Sequence, residues 1–186
     1  MAKKYKKLLL FAVFLVINAC LWGQNFSTHT GLVSFFGEKP FDKVRGDSHE
    51  VEGMINTKTC EAEFHAMIKS FHFQNKDIEK AFNEKYMESD RYPESYFIGK
   101  ILNLADIDFN KHGEFQVEVE GNLTIHNVTR RVSHPGILKV TENELSARSQ
   151  FIVKPKNFKI KLPKMFGIKM ANKINVSVDM RYSRQE

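Results

Sequence analysis

Histidines are the residues of this chain best suited to acid–base or metal chemistry. A protein zinc site needs three or four His, Cys or carboxylate ligands at characteristic spacings, and no histidine here has a cysteine or a second histidine at such a spacing. His65 and His72 come nearest, but a separation of seven residues on a strand puts their side chains on opposite faces. The sequence therefore predicts no metal site. The seven histidines are His29, His49, His65, His72, His112, His126 and His134.

Other reactive residue types do not form a catalytic set either. Cys60 is the only cysteine beyond the first 23 residues; it follows Thr59 and precedes Glu61, so we expect a small buried side chain rather than an activated thiolate. Asp106 and Asp108 lack the further ligands of a calcium site and are expected in a solvated turn. The sequence has no G-x-S-x-G, G-x-G-x-x-G or phosphate-loop motif. We predict that the protein is not an enzyme and has no catalytic residues.

The first 23 residues have the pattern of an export signal. Lysines at positions 3, 4, 6 and 7 precede an apolar run of ten residues, Leu8 to Ile17, which suits a secretory signal and is too short to span a bilayer. Cleavage after Gly23 would leave one domain, residues 24–186, in the periplasm or outside the cell. The alternative is a lipoprotein anchored at Cys20, because Ile17-Asn18-Ala19-Cys20 resembles a lipoprotein processing site.

The net charge gives no support for nucleic-acid binding. The whole chain has 28 Lys and Arg against 22 Asp and Glu. Residues 1–23 hold four of the lysines and no acidic residue, so the rest of the chain is close to neutral, at 24 against 22. The apparent basicity belongs mainly to the predicted signal, and we expect no nucleic-acid partner.

The clearest structural pattern lies between Gly113 and Val132, where apolar and polar residues alternate. This period of two predicts a long strand with one buried face, which is common in antiparallel barrels. The pattern breaks at His126-Asn127, a predicted tight turn, because Asn tolerates a left-handed backbone. A structural role for His126 in this turn is favoured over catalysis.

Similar alternation predicts about eight strands in an all-β, antiparallel sandwich or barrel. Cys60 to Phe73 is one expected strand, and Pro135-Gly136 is an expected break before a short strand. One helix, at about residues 75–88, is predicted from the spacing of Ile78, Phe82 and Tyr86, with Asn75 as its N-cap.

Two features allow alternative interpretations. The fourteen phenylalanines outside the leader indicate either plain core packing, which composition alone favours, or an internal apolar cavity. The basic segment Lys154 to Lys173 contains seven lysines and no acidic residue. We favour an edge strand here, with Phe158, Ile160 and Leu162 inward; the alternative is a rim that contacts anionic lipid.

The runs FNEKYMESDRYPESYFIGKI (82–101) and GNLTIHNVTRRV (121–132) resemble the YceI-like family of exported bacterial proteins, and the first run is similar to members from Bacteroidota. The family usually has Gly where Asn127 stands here. The resemblance implies an extended, lipocalin-like, eight-stranded antiparallel barrel with one helix packed at an end. It also implies an elongated apolar interior that holds a long isoprenoid chain in some members.

From the resemblance and the alternating faces we expect an exported protein that sequesters or transports a polyisoprenoid or isoprenoid quinone inside the barrel, with no other cofactor. The alternative is an envelope protein-interaction or stress-related module whose barrel is filled. Transient contact of Lys154–Lys173 with an anionic membrane is expected, and the sequence leaves monomer and dimer open. The predicted cavity-lining residues are Phe64, Ile68, Phe97, Phe115, Val117, Val119, Leu123, Ile125, Phe151, Val176 and Val178.

Overall fold

The computed structural model describes residues 25–37, 44–142, 144–161 and 173–184. The predicted signal, residues 1–23, lies outside these ranges. The described chain forms nine antiparallel strands: β1 Asn25–Gly37, β2 Arg45–Asn56, β3 Glu61–Met67, β4 His72–Phe73, β5 Glu94–Ile101, β6 Gly113–Ile125, β7 Val128–Val140, β8 Leu145–Val153 and β9 Ile174–Arg184.

Eight of these strands close into a barrel. They are hydrogen-bonded in the order β1-β9-β8-β7-β6-β5-β3-β2, and a further β1–β2 pairing completes the circle. The two-residue strand β4 adds to β2 outside this circle, pairing at Gly46↔Phe73 and Asp47↔His72. The predicted eight-stranded antiparallel barrel is therefore confirmed, and the sandwich alternative does not apply. We call the end at which β1 finishes and β2 begins the upper end, and the opposite end the lower end.

The lower end is filled by the protein's own side chains. Because strand side chains alternate between the two faces, apolar residues from most of the strands meet here, and the short 3₁₀ turn Leu104–Asp106 after β5 adds Leu104 from below. These residues are almost entirely removed from solvent, so this end provides the conventional core. Its largest fully buried side chains include Ile55, Leu104, Leu138, Leu145 and Met180.

A helical segment covers the upper end. Helix α1, Lys76–Ala81, begins at the predicted N-cap Asn75, whose Oδ1 accepts hydrogen bonds from the Asp77 and Ile78 amides at 2.8 and 3.3 Å. It continues as one π-helical turn, Phe82–Tyr86. The predicted helix is thus confirmed in place, although only its first part is α-helical. Within the described ranges, no helix combines the length and apolar character needed to cross a bilayer.

The hairpin turn between β6 and β7 is the predicted His126-Asn127. Both residues have positive φ, 52° and 56°, as a two-residue type I′ turn requires. Nε2 of His126 lies 2.9 Å from Oε2 of Glu88, and its ring packs edge-on against Tyr92 with 4.3 Å between centroids. His126 therefore ties the hairpin to the chain that follows the helical segment.

Two local predictions were wrong because turns replaced strands. Cys60 lies in the β2–β3 turn with φ of 60°, so the strand begins one residue later and ends at Met67. The strand predicted through Phe158 and Ile160 is a 3₁₀ turn, Pro155–Phe158, followed by Lys159 in the left-handed region. Pro155 at the first position of that turn suits a helical start. Leu162 and the rest of the basic segment to residue 172 lie outside the described residues.

The predicted break at Pro135-Gly136 was also wrong for β7 itself. This strand runs without interruption from Val128 to Val140, and β6 pairs with all of it. Proline keeps a φ value that a strand allows and lacks only the amide donor. What Pro135 interrupts is the backbone pairing with the next strand, since the β7–β8 pairing ends at Gly136↔Ser149.

Tyr182 of β9 carries a cost that a single substitution should remove. Its side chain is 2% exposed, and its hydroxyl has no hydrogen-bond partner among the described residues. Burial raises the pKa of this phenol. Since the folded-state pKa exceeds the unfolded value of about 10, ionisation of the phenol in the unfolded chain lowers the free energy of unfolding as the pH rises above that value.

We therefore expect Tyr182→Phe to be neutral or stabilising by up to about 1 kcal/mol at pH 7, since an unsatisfied buried hydroxyl is removed. The advantage over the natural protein should grow above about pH 10. Urea unfolding at pH 7 and at alkaline pH measures both effects. Tyr96→Phe, at an exposed tyrosine on β5, is the control and should show neither; a Tyr182→Phe protein that loses stability at pH 7 would show that the hydroxyl is satisfied.

Candidate functional site

An apolar cavity of about 450 Å³ occupies the barrel between the lower core and the helical segment. Side chains from every strand of the barrel, from β4 and from the helical segment contribute to its wall. Ligand pockets in proteins measure roughly 300–1,000 Å³. An apolar cavity of about 150 Å³ binds one benzene molecule, so this cavity has room for about three groups of that size, and an isoprene unit is comparable.

The structure places ten of the eleven predicted residues on the cavity wall. Phe115 is the exception: its ring lies beside Gly113, the first residue of β6, where an added Cβ would be 3.6 Å from the ring, and it packs on the lower core. Phe115 faces inward, as expected from the alternation, but it lies in the filled lower end of the barrel, below the cavity. That the other ten contact a lipid stays a prediction. They are Phe64, Ile68, Phe97, Val117, Val119, Leu123, Ile125, Phe151, Val176 and Val178.

The upper wall of the cavity is an aromatic cluster that the prediction did not include. The ring of Phe35 lies 5.3 Å from the rings of Phe71 and Phe82 and 5.6 Å from that of Phe73. Gly46 faces this cluster, where a Cβ would come within 2.7 Å of Phe35 and 2.8 Å of Phe73. The helical spacing of Phe82 indicated that this residue faces the protein interior. The pairing of the short strand β4 with β2, which brings in Phe73, could not be predicted from the sequence.

Helix α1 and its π-helical extension also place side chains on the cavity. Ile78, Phe82 and Tyr86 all line it, in keeping with their spacing of four residues. Tyr86 also belongs to a buried cluster with Ile68 and Ile160. The helical segment is therefore part of the wall of the site rather than an external addition.

His134 is a polar ring on this wall, and it stacks on an aromatic side chain. Its imidazole lies 4.6 Å from the ring of Phe151 at an interplanar angle of 14°, and both residues line the cavity. Burial lowers the pKa of His134, and the Glu118 carboxylate opposes this shift. The sequence analysis missed His134 because it predicted that the strand breaks at Pro135. Without a continuous strand there, the alternation that places His134 on the inward face could not be followed.

Charged side chains lie mainly on the outside of the barrel. His65, which precedes an inward alanine, contacts Glu52 at 3.8 Å and Glu94 at 3.3 Å, and all three are partly or well exposed. Among the residues that the structure describes, no group of three or more His, Cys, Asp or Glu side chains could hold a metal ion. The chemistry available inside the barrel is thus mainly burial of apolar surface; the polar residues on the cavity wall include His65, His134, Arg148 and Ser149.

Comparisons with known proteins agree with this geometry. A family model described as the YceI-like domain matches residues 26–182. A search of curated proteins found no match. Among solved structures, a polyisoprenoid binding domain from Saccharophagus degradans, implicated in plant cell wall breakdown, has a TM-score of 0.75 at 11% identity, covering 88% of this chain and 100% of the other.

Two further structures share the fold. BcnA of Burkholderia cenocepacia has a TM-score of 0.65 at 13% identity, covering 82% of this chain and 96% of BcnA. The YCEI protein of Campylobacter jejuni has a TM-score of 0.58 at 13% identity, covering 76% of this chain and 85% of its own. At such identities these structures show the fold alone. The family match over residues 26–182, together with this barrel, shows that the chain belongs to the YceI-like family.

Proposed function

We propose that the protein is an exported binding protein that sequesters or carries a long apolar lipid of the isoprenoid type inside its barrel. The observation that carries this proposal is the apolar cavity of about 450 Å³. One structure of the same fold is a polyisoprenoid binding domain, which supports the choice of ligand. The alternative of a protein-interaction module with a filled barrel does not match a cavity of this size.

Burial alone supplies enough free energy for useful affinity. Each buried CH₂ group contributes about 0.8 kcal/mol, so three isoprene units of five carbons give about 12 kcal/mol before costs. Association and ordering remove at least about 4 kcal/mol. The remaining 8 kcal/mol corresponds to a micromolar Kd, which would hold a lipid that is otherwise insoluble in water.

The lysines of the basic segment favour contact with an anionic membrane at the upper end. Lys154, Lys156, Lys159 and Lys161 are exposed, while the interspersed apolar residues are buried and two of them line the cavity. Each lysine near an anionic surface contributes about 1 kcal/mol. This part of the proposal places the cavity close to the membrane from which a lipid would be taken.

Uptake of a defined lipid tests the proposed function. The chain from residue 24 to 186 is stripped of lipid by organic extraction and refolded. It is then titrated with a short-chain isoprenoid quinone, and quenching of its tyrosine fluorescence reports binding. We expect saturable binding with a micromolar or lower Kd. A refolded protein with a cooperative unfolding transition that shows no saturable binding would contradict the proposal and favour the protein-interaction alternative.

A further inference from the structure

Between β7 and β8 the backbone pairing of the barrel wall stops partway along both strands. β7 and β8 pair from Val140↔Leu145 only as far as Gly136↔Ser149. The same register would next set Pro135 opposite Gln150, but proline has no amide to donate. The Pro135 carbonyl instead accepts a hydrogen bond from the Ser149 hydroxyl at 2.8 Å. We call the unpaired lengths, Val128–Pro135 of β7 and Gln150–Val153 of β8, the β7–β8 seam.

The strands on either side of this seam keep their other partners. β6 pairs with β7 along its whole length, from Gly113↔Val140 to Ile125↔Val128. β8 pairs with β9 from Leu145↔Tyr182 to Val153↔Ile174. The interruption therefore affects only one hydrogen-bonding edge of each strand, and it lies in the upper half of the barrel wall.

Contacts made by side chains, rather than backbone pairing between strands, bridge the seam. His134 of β7 stacks on Phe151 of β8, and the Arg130 guanidinium donates from Nε to the Asn157 carbonyl at 3.0 Å. Side-chain contacts can part without breaking a backbone ladder. Residues on both sides of the seam, Val132 and His134 on β7 and Phe151 on β8, also line the cavity, so the seam adjoins the ligand space.

His134 brings unused hydrogen-bonding capacity to this place. Neither of its ring nitrogens bonds to a residue that the structure describes, although a neutral imidazole has one donor and one acceptor. Desolvation lowers its pKa, which favours the neutral ring. The His134 ring is partly buried on the cavity wall, and a ligand with a polar head would supply a hydrogen-bond partner for one of its nitrogens.

The charges around His134 select against an anionic head. Arg148 is the only lysine, arginine or carboxylate residue among those described on the cavity wall, and its Nε lies 4.0 Å from Asp179. The charged group that acts on His134 is the Glu118 carboxylate. A diphosphate placed beside His134 would be partly desolvated and close to the Glu118 carboxylate, which is unfavourable. Arg130 also lies on the seam, but its Nε is bound to the Asn157 carbonyl.

We propose that the β7–β8 seam holds the polar head of the bound lipid, that His134 hydrogen-bonds to this head, and that the head is an uncharged group with carbonyl or hydroxyl oxygens. The tail then fills the cavity, and the ring of Phe151 packs beside the head. This inference rests on the proposed function and adds to it the place and the chemical class of the head.

Three probes with the same short isoprenoid tail test the proposal: a quinone, a hydrocarbon without a head and a diphosphate. The variant is His134→Phe, which keeps a ring against Phe151 but removes the hydrogen bond. The control is His29→Phe, at an exposed histidine of β1 whose Nδ1 lies 3.3 Å from a carboxylate oxygen of Glu52 and which does not line the cavity. Each probe is titrated into the natural protein, the variant and the control, and thermal unfolding checks that all three proteins are folded.

We expect His134→Phe to weaken quinone binding about five- to tenfold, the usual range for one hydrogen bond, and hydrocarbon binding less than twofold. The control should change neither, and the natural protein should bind the diphosphate more weakly than the quinone. Equal effects on quinone and hydrocarbon, no effect on either, or preference for the diphosphate would overturn the proposal. Failure of the natural protein to bind any of the three would instead contradict the proposed function.

A spectroscopic measurement keeps the proposal testable if His134→Phe does not fold. In the natural protein, the ¹⁵N resonances of the His134 ring are followed while the quinone and then the hydrocarbon are added. The quinone should shift one ring nitrogen, and the hydrocarbon should shift it much less. The same response to both ligands would place the head elsewhere.

Discussion

Replacing Val119 by lysine is expected to weaken binding of an apolar isoprenoid lipid by at least about 100-fold. Val119 lines the cavity and stands opposite His134 in the β6–β7 pairing. A lysine there must either keep its charge in an apolar surround or bring water with it, and both outcomes remove the apolar contact that drives binding. Titration with a short-chain isoprenoid hydrocarbon measures the loss.

The matched control for this change is Gln116→Lys on the same strand. Gln116 is exposed and has the opposite parity, so an added charge should leave affinity within about twofold, as is usual for an exposed substitution that touches no ligand. If a well-folded Val119→Lys protein bound the lipid as tightly as the natural protein, Val119 would not belong to the binding site.

Replacing Gly121 by alanine is expected to lower the free energy of unfolding by about 3 kcal/mol or more, or to prevent folding. Gly121 of β6 faces Gly99 of β5 across a paired position. A Cβ on Gly121 would lie 2.5 Å from both the Gly99 Cα and the Ile98 carbonyl, and 2.7 Å from the ring of Phe97. Backbone atoms of a neighbouring strand cannot move aside as a flexible side chain can, so the overpacking cost is large.

Gly113→Ala is the control for this prediction, because it makes the same chemical change at the start of the same strand. The nearest atoms to its added Cβ lie 3.6 Å away, in the ring of Phe115, which is an ordinary contact distance. Urea unfolding should give a stability close to that of the natural protein. Equal stabilities for Gly121→Ala and Gly113→Ala would mean that β5 and β6 do not approach as closely as described.

The barrel could be predicted from the sequence because its longest strands carry a strong local signal. β6 alternates over its whole length, and the turn residues His126 and Asn127 both take the positive φ that a two-residue hairpin needs. The parity of these residues also indicated which side chains face inward. Since inward parity applies at every height of the barrel, it could not separate the cavity wall from the filled lower end, which is why Phe115 was misplaced.

Pro135 shows where local reasoning reached its limit. A proline lacks the amide N–H that would donate a backbone hydrogen bond. If that amide would have pointed to only one of the two neighbouring strands, the strand continues and loses its pairing on that side alone. The structure puts β8 on that side, and this tertiary fact was not available from local pattern. The same uncertainty concealed His134. Likewise, nothing local revealed that Pro155–Phe158 would form a turn above the cavity.

Native mass spectrometry of the protein purified from its own cell envelope, without detergent exchange, tests the central claim most directly. The cavity of about 450 Å³ predicts a population with a non-covalent adduct that collisional activation releases as a lipid with an isoprenoid tail. Only the ligand-free mass, from protein that is folded and was never exposed to extraction, would contradict the claim that this barrel carries a lipid.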